Sequence, residues 1–137
     1  QLIIDHNHNP RNFNELKDAN HFAKGHNPLC GDKLSIYLIV KNGNIEDITF
    51  TGDGCAISKA SASIMTSILK GMQVKEAEIK FKNFLNLATT GNFEKDMGKL
   101  TVLAGVHKYP ARVKCATLAW HTFHGALNNI EELIRTE

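Results

Sequence analysis

Three cysteines and one carboxylate carry most of the chemistry this chain could perform. Cys30 and Asp32 stand two positions apart in the turn Asn27-Pro28-Leu29-Cys30-Gly31-Asp32; Cys55 follows Cys30 by 25 residues and Cys115 follows Cys55 by 60. If the fold returns Cys55 and Cys115 to that turn, three sulfurs and one oxygen converge. Zinc takes thiolate and carboxylate ligands in a tetrahedron, so a four-coordinate metal site is the natural reading. The competing reading is three unrelated core thiols, because free Cys is among the most buried residue types. The spacing is weaker than paired Cys-x-x-Cys knuckles, yet it favours metal or thiol chemistry.

Composition bounds the rest. The chain has 137 residues, 42% of them hydrophobic and 22% charged, which suits one globular domain spanning 1–137. The net charge is +2, with basic residues scattered along the chain, so nucleic acid and membrane surfaces gain no electrostatic support as partners. No apolar run approaches the ~18–20 residues that span a bilayer, and no signal peptide is legible. Gln1 is not an initiator Met, so a short preceding piece is expected. An odd number of widely spaced cysteines argues against a disulfide framework and for reduced thiols in the cytoplasm.

The elements that must position the thiols follow from periodicity. Leu34, Ile36, Leu38 and Val40 alternate with Lys33, Ser35, Tyr37 and Ile39. Asn42-Gly43 then supplies a tight turn, and Ile45, Ile48 and Phe50 return on a second strand. This hairpin places Cys30 and Asp32 at its entry and Gly52-Asp53-Gly54-Cys55 at its exit, so those ends are neighbours. After Cys55, the stripe Ile57, Ala60, Ile64, Ile68 and Leu69 predicts a helix stopped by Gly71, with small residues 60–63 for close packing on the sheet. Cys55 then sits at a helix N-terminus, where the dipole favours a thiolate.

A second amphipathic helix is predicted over 74–90, a polar connection over 92–98, and a short helix from Leu100 to Val106. Pro110 opens a last helix running towards Ile134, with Cys115 in its second turn. At ~100° per residue, His121 and His124 point away from Cys115. Leu118, Trp120 and Leu127 serve packing. The N-terminus reads as a helical end closed by Pro10, and residues 11–28 as an extended polar loop. His6, His8, His21 and His26 are taken as solvated polar histidines rather than ligands.

Four motifs together resemble one family. They are Asp5-His6…Asn9-Pro10-Arg11-Asn12, Asn27-Pro28-Leu29-Cys30-Gly31-Asp32, Gly52-Asp53-Gly54-Cys55-Ala56-Ile57-Ser58-Lys59-Ala60-Ser61, and Arg112-Val113-Lys114-Cys115-Ala116-Thr117-Leu118-Ala119-Trp120. In this order they are similar to the IscU/SufU/NifU N-terminal family, whose members act in iron–sulfur cluster assembly. The resemblance implies an α+β fold, a small antiparallel β-sheet packed against several α-helices. Lys114 stands where IscU-type scaffolds carry His, and the segment 75–98 resembles the insertion of the SufU branch.

That branch implies zinc-dependent sulfur transfer from a SufS-type cysteine desulfurase, alongside other cluster-assembly components. Carried over, Cys30, Asp32, Cys55 and Cys115 would be zinc ligands, Cys30 the sulfur acceptor and Arg112 an auxiliary residue. A desulfurase His would take the place of Cys30 on zinc, freeing its thiolate to attack the persulfide. The alternative is a scaffold that assembles a [2Fe–2S] cluster on the same residues.

Overall fold

Alternating apolar residues and the Asn42-Gly43 pair build the hairpin at the centre of the fold. Strand β2 (Asp32–Lys41) pairs antiparallel with β3 (Asn44–Asp53), from Lys33 opposite Asp53 to Lys41 opposite Asn44. Asn42 and Gly43 have φ of 52° and 76°, the two positive values that a type I′ turn requires. Leu34, Ile36, Leu38, Ile45, Ile48 and Phe50 are all buried on one face. The computed structural model of the chain describes residues 2–92, 97–129 and 134–136; most of the expected 92–98 connection lies outside them.

The expected loop over 11–28 is corrected in its second half. His21–Asn27 forms β1, antiparallel to β2 with Asn27 opposite Asp32. Its buried positions are Ala23, Gly25 and Asn27, too small or polar to show apolar alternation. A two-residue strand β4 (Ile134–Arg135) runs parallel to β1 beside Gly25 and His26, giving the order β3-β2-β1-β4. The last helix is corrected with it: it ends at Leu127, and Ile134 belongs to the sheet.

Helices cover one face, so the architecture is α+β. Helix α1 (Leu2–His8) ends before Pro10 as expected. Helix α2 (Ala56–Leu69) is followed by Gly71 at φ 85°, and α3 (Val74–Thr90) closes on Gly91 at φ 78°, left-handed conformations that glycine adopts freely. The short helix is a longer run of 3₁₀ turns, Gly98–Lys108. Helix α4 (Pro110–Leu127) starts with Pro at its first turn and lies across β1 and β2.

The small residues of α2 seat it between α1 and α4 as well as on β3. Ser61 Oγ donates to the Ala116 carbonyl of α4 at 2.6 Å, and Ser63 Oγ meets the buried His6 ring of α1, also at 2.6 Å. Trp120, fully buried, stacks on Phe84 with ring centroids 4.6 Å apart. This packing fixes α4, and therefore Cys115, over the β1–β2 end of the sheet.

Candidate metal centre

Five residues meet where β1 ends, β2 begins and α2 starts. Asn27 and Asp32 face each other on the last rung of the β1–β2 ladder, and both are fully buried. Residues 28–31 form the loop between them, with Cys30 exposed and Gly31 at φ 71°. Asp32 is gripped from two sides. Cys55 N–H donates to Oδ1 at 2.8 Å, and Asn27 Nδ2 donates to Oδ2 at 3.2 Å. Gly54 has no side chain because the Asp32 carboxyl occupies that space: a Cβ there would lie 2.7 Å from Oδ1.

Cys55 is the N-cap of α2, its Sγ accepting from Ser58 N–H at 3.5 Å, which satisfies one of the free N–H groups of the first turn. The same sulfur lies 4.0 Å from Asp32 Oδ2. Cys115, 2% exposed, is the deepest of the three thiols. Its Sγ accepts from Asn27 Nδ2 at 3.4 Å and points its own S–H at Cys30 Sγ, 3.2 Å away.

The chemistry of the donors suits zinc, and three of the four expected ligands are gathered. One atom each from Cys30, Asp32 and Cys115 lies within 4.8 Å of the other two; the Cys55 sulfur falls outside that group of three, although it lies 4.0 Å from Asp32 Oδ2. Ligands at zinc distances of 2.0–2.3 Å stand roughly 3.6–3.8 Å apart, so the 3.2 and 4.0 Å separations need only small adjustments. Without a cation, burial pushes the Cys115 thiol far up, helped by its hydrogen bonds with Cys30 and Cys55 and by the charges of Cys55 and Asp32. Crowded, desolvated anionic donors of this kind call for a positive ion. Thiolates in this number also suit an iron–sulfur cluster.

Other sequence-singled residues fall elsewhere. Arg112 is exposed, its guanidinium 4.4 Å over the ring of Tyr109, one turn before Cys115. Lys114 is half-buried. The reading of His6 as a solvated loop histidine is corrected: it is 1% exposed within α1. His21 likewise binds the Ala126 carbonyl through Nδ1 at 2.9 Å. His121 and His124 pack on Phe81 of α3, away from Cys115 as expected. Asn27 was not singled out as a site residue. The signal was its register opposite Asp32, hidden while β1 read as a loop.

The profile described as the NifU-like N-terminal domain matches residues 1–116. The Zinc-dependent sulfurtransferase SufU of Bacillus subtilis is 40% identical over 122 residues, covering 88% of this chain and 82% of that protein. The Iron-sulfur cluster assembly scaffold protein IscU of Thermotoga maritima is 38% identical over 133 residues, covering 95% and 92%. The crystal structure of the "Putative iron-sulfur cluster assembly scaffold protein for SUF system" from Fervidobacterium islandicum superposes with TM-score 0.88 at 32% identity, covering 93% of this chain and 94% of that one.

Proposed function

This chain belongs to the family of NifU-like N-terminal domains, and from that premise we propose that it serves iron–sulfur cluster assembly as a zinc-dependent acceptor of persulfide sulfur. Cys30, Asp32, Cys55 and Cys115 hold the metal. One observation carries the reading: Asp32, Cys55 and Cys115 each receive an N–H bond from the protein, while Cys30 is exposed and its sulfur meets the Cys115 thiol. Three residues are anchored and one can leave.

When bound, zinc neutralises charge and keeps the thiols deprotonated without redox chemistry of its own. The chain's residues do the rest. Cys30 swings out on its loop as a thiolate and attacks the outer sulfur of a cysteine persulfide on a desulfurase of the SufS type. A new S–S bond forms on Cys30, the partner's S–S bond breaks, and the partner's cysteine leaves as a thiolate, so no external oxidant or reductant is needed. A groove of about 520 Å³ beside Gly31 is lined by Lys24, His26 and Lys33 with Asp53, on the outward face of β1 and β2. Arg112, stacked on Tyr109, supplies an auxiliary cation on the Cys115 helix.

The similarity to the Bacillus subtilis sulfurtransferase and Lys114 in the position before Cys115 support this branch. The similarity to IscU scaffolds is nearly as high, and it favours the second reading, assembly and delivery of a [2Fe–2S] cluster on the same donors. Protein purified anaerobically should contain about one zinc per chain and accelerate a SufS-type desulfurase. Cys30→Ala should abolish that acceleration. Full acceleration by Cys30→Ala would sink the transfer mechanism. A stable coloured cluster passed to an apo-acceptor after iron and sulfide reconstitution would select the scaffold.

A further inference from the structure

Asn27 occupies a position from which one side chain reaches two elements of the centre. Residues opposite each other on antiparallel strands project to the same face, with Cβ atoms about 4.5–5.5 Å apart. Register alone therefore brings Asn27 to Asp32. Helix α4 crosses β1 at this end and lowers Cys115 onto the same amide. The two N–H bonds of Nδ2 are then shared out, one to Asp32 Oδ2 at 3.2 Å and one to Cys115 Sγ at 3.4 Å.

The other end of the amide is informative. Asn27 Oδ1 is buried and accepts no hydrogen bond among the described residues. Turning the amide over would face that oxygen towards a carboxylate and a sulfur, acceptor against acceptor. The orientation is therefore dictated by the two acceptor atoms, at the expense of a desolvated carbonyl. A residue kept only for packing has no reason to sustain that arrangement.

We propose that Asn27 is the positioning residue of the centre, fixing Asp32 of β2 and Cys115 of α4 as the permanent pair and so leaving Cys30 as the thiol that exchanges. The proposal rests on the ligand set given under Proposed function. Residues that orient metal ligands in this way typically change affinity 10–100-fold when replaced.

The test uses the full chain with Asn27→Leu, similar in volume but without donors, and Asn27→Ala in case the leucine prevents folding. Zinc affinity, measured against a chromophoric chelator, should fall about 10–100-fold. The thiolate-to-metal charge-transfer bands of the Co²⁺-loaded protein should shift. Iodoacetamide labelling of the zinc-loaded protein, mapped by peptide mass spectrometry, should mark Cys30 well ahead of Cys115 in the wild type and lose that order in the variant. Wild-type affinity and labelling order in a folded variant would overturn the proposal, including when only the melting temperature falls. The same titration on Cys30→Ala and Asp32→Ala separates the two failures, since unchanged affinity there removes the ligand set itself.

Discussion

Gly54→Ala attacks the centre without touching a ligand. The added Cβ would lie 2.7 Å from Asp32 Oδ1, 3.1 Å from Cγ and 3.2 Å from Cβ. Carbon atoms in ordinary contact stand ~3.5–4.0 Å apart, so the carboxyl must retreat by roughly half an ångström or more. Oδ1 is the atom that accepts the Cys55 N–H at 2.8 Å, and retreat breaks that bond. Gly54 does not have a left-handed φ, so alanine strains nothing but this contact. A hydrogen bond to a charged group contributes about 1.5–3 kcal/mol, and crowding a packed site costs about 1–3 kcal/mol.

If most of the hydrogen-bond term falls on the metal-loaded form, zinc affinity drops about 10–100-fold, at about 1.4 kcal/mol per tenfold. Chelator competition measures it directly, and desulfurase acceleration should fall in parallel at limiting zinc. Gly105→Ala is the control, because a Cβ there meets nothing within 4 Å. Wild-type zinc affinity in Gly54→Ala would refute the reasoning that Asp32 is held in place by this grip.

Two other outcomes follow from the packing. Trp120 is fully buried on Phe84, so Trp120→Ala should destabilise the fold by about 3–5 kcal/mol in denaturant unfolding; a loss below ~1 kcal/mol would mean that α4 is not fixed by this contact. His6 has its pKa lowered, by burial first and then by the Arg11 charge. The folded state then favours neutral imidazole, so its contribution is complete above the unfolded value near 6.5 and is lost as pH falls below it. Thermal unfolding between pH 7.5 and 5.5 should show a smaller acid loss in His6→Gln than in wild type, and equal slopes would contradict the burial of His6.

The hairpin was legible because β2 alternates cleanly and Asn42-Gly43 is a turn signal with a mechanism. From it came the meeting of Cys30, Asp32 and Cys55 ends. Helix phase put Cys115 in the second turn of the last helix and set His121 and His124 aside, while its place among the ligands came from the family resemblance. β1 stayed hidden because its buried positions are not apolar: Gly25 is pressed by Thr122 of α4, where any Cβ would collide, and Asn27 is turned to Asp32 and Cys115. Alternation reports burial of hydrocarbon, and these positions bury other things. β4 is two residues long and depends on a neighbour distant in sequence. His6 was misjudged since its burial depends on Ser63, 57 residues away. The hydrogen bonds that distinguish one ligand from another arise only from tertiary contact.

The loop 28–31 also sets a length scale. The ladder pins it at Asn27 and Asp32, and two extended residues span at most about 7 Å. A sulfur carried on Cys30 is therefore on a short tether. Any donor must bring its persulfide almost to the mouth of the centre, because Cys30 cannot go and fetch it. Once loaded, the same tether keeps the cargo at an effective concentration of millimolar or more next to the three residues it left. The loop length thus makes transfer a matter of docking geometry, and lengthening it would trade retention of the sulfur for reach.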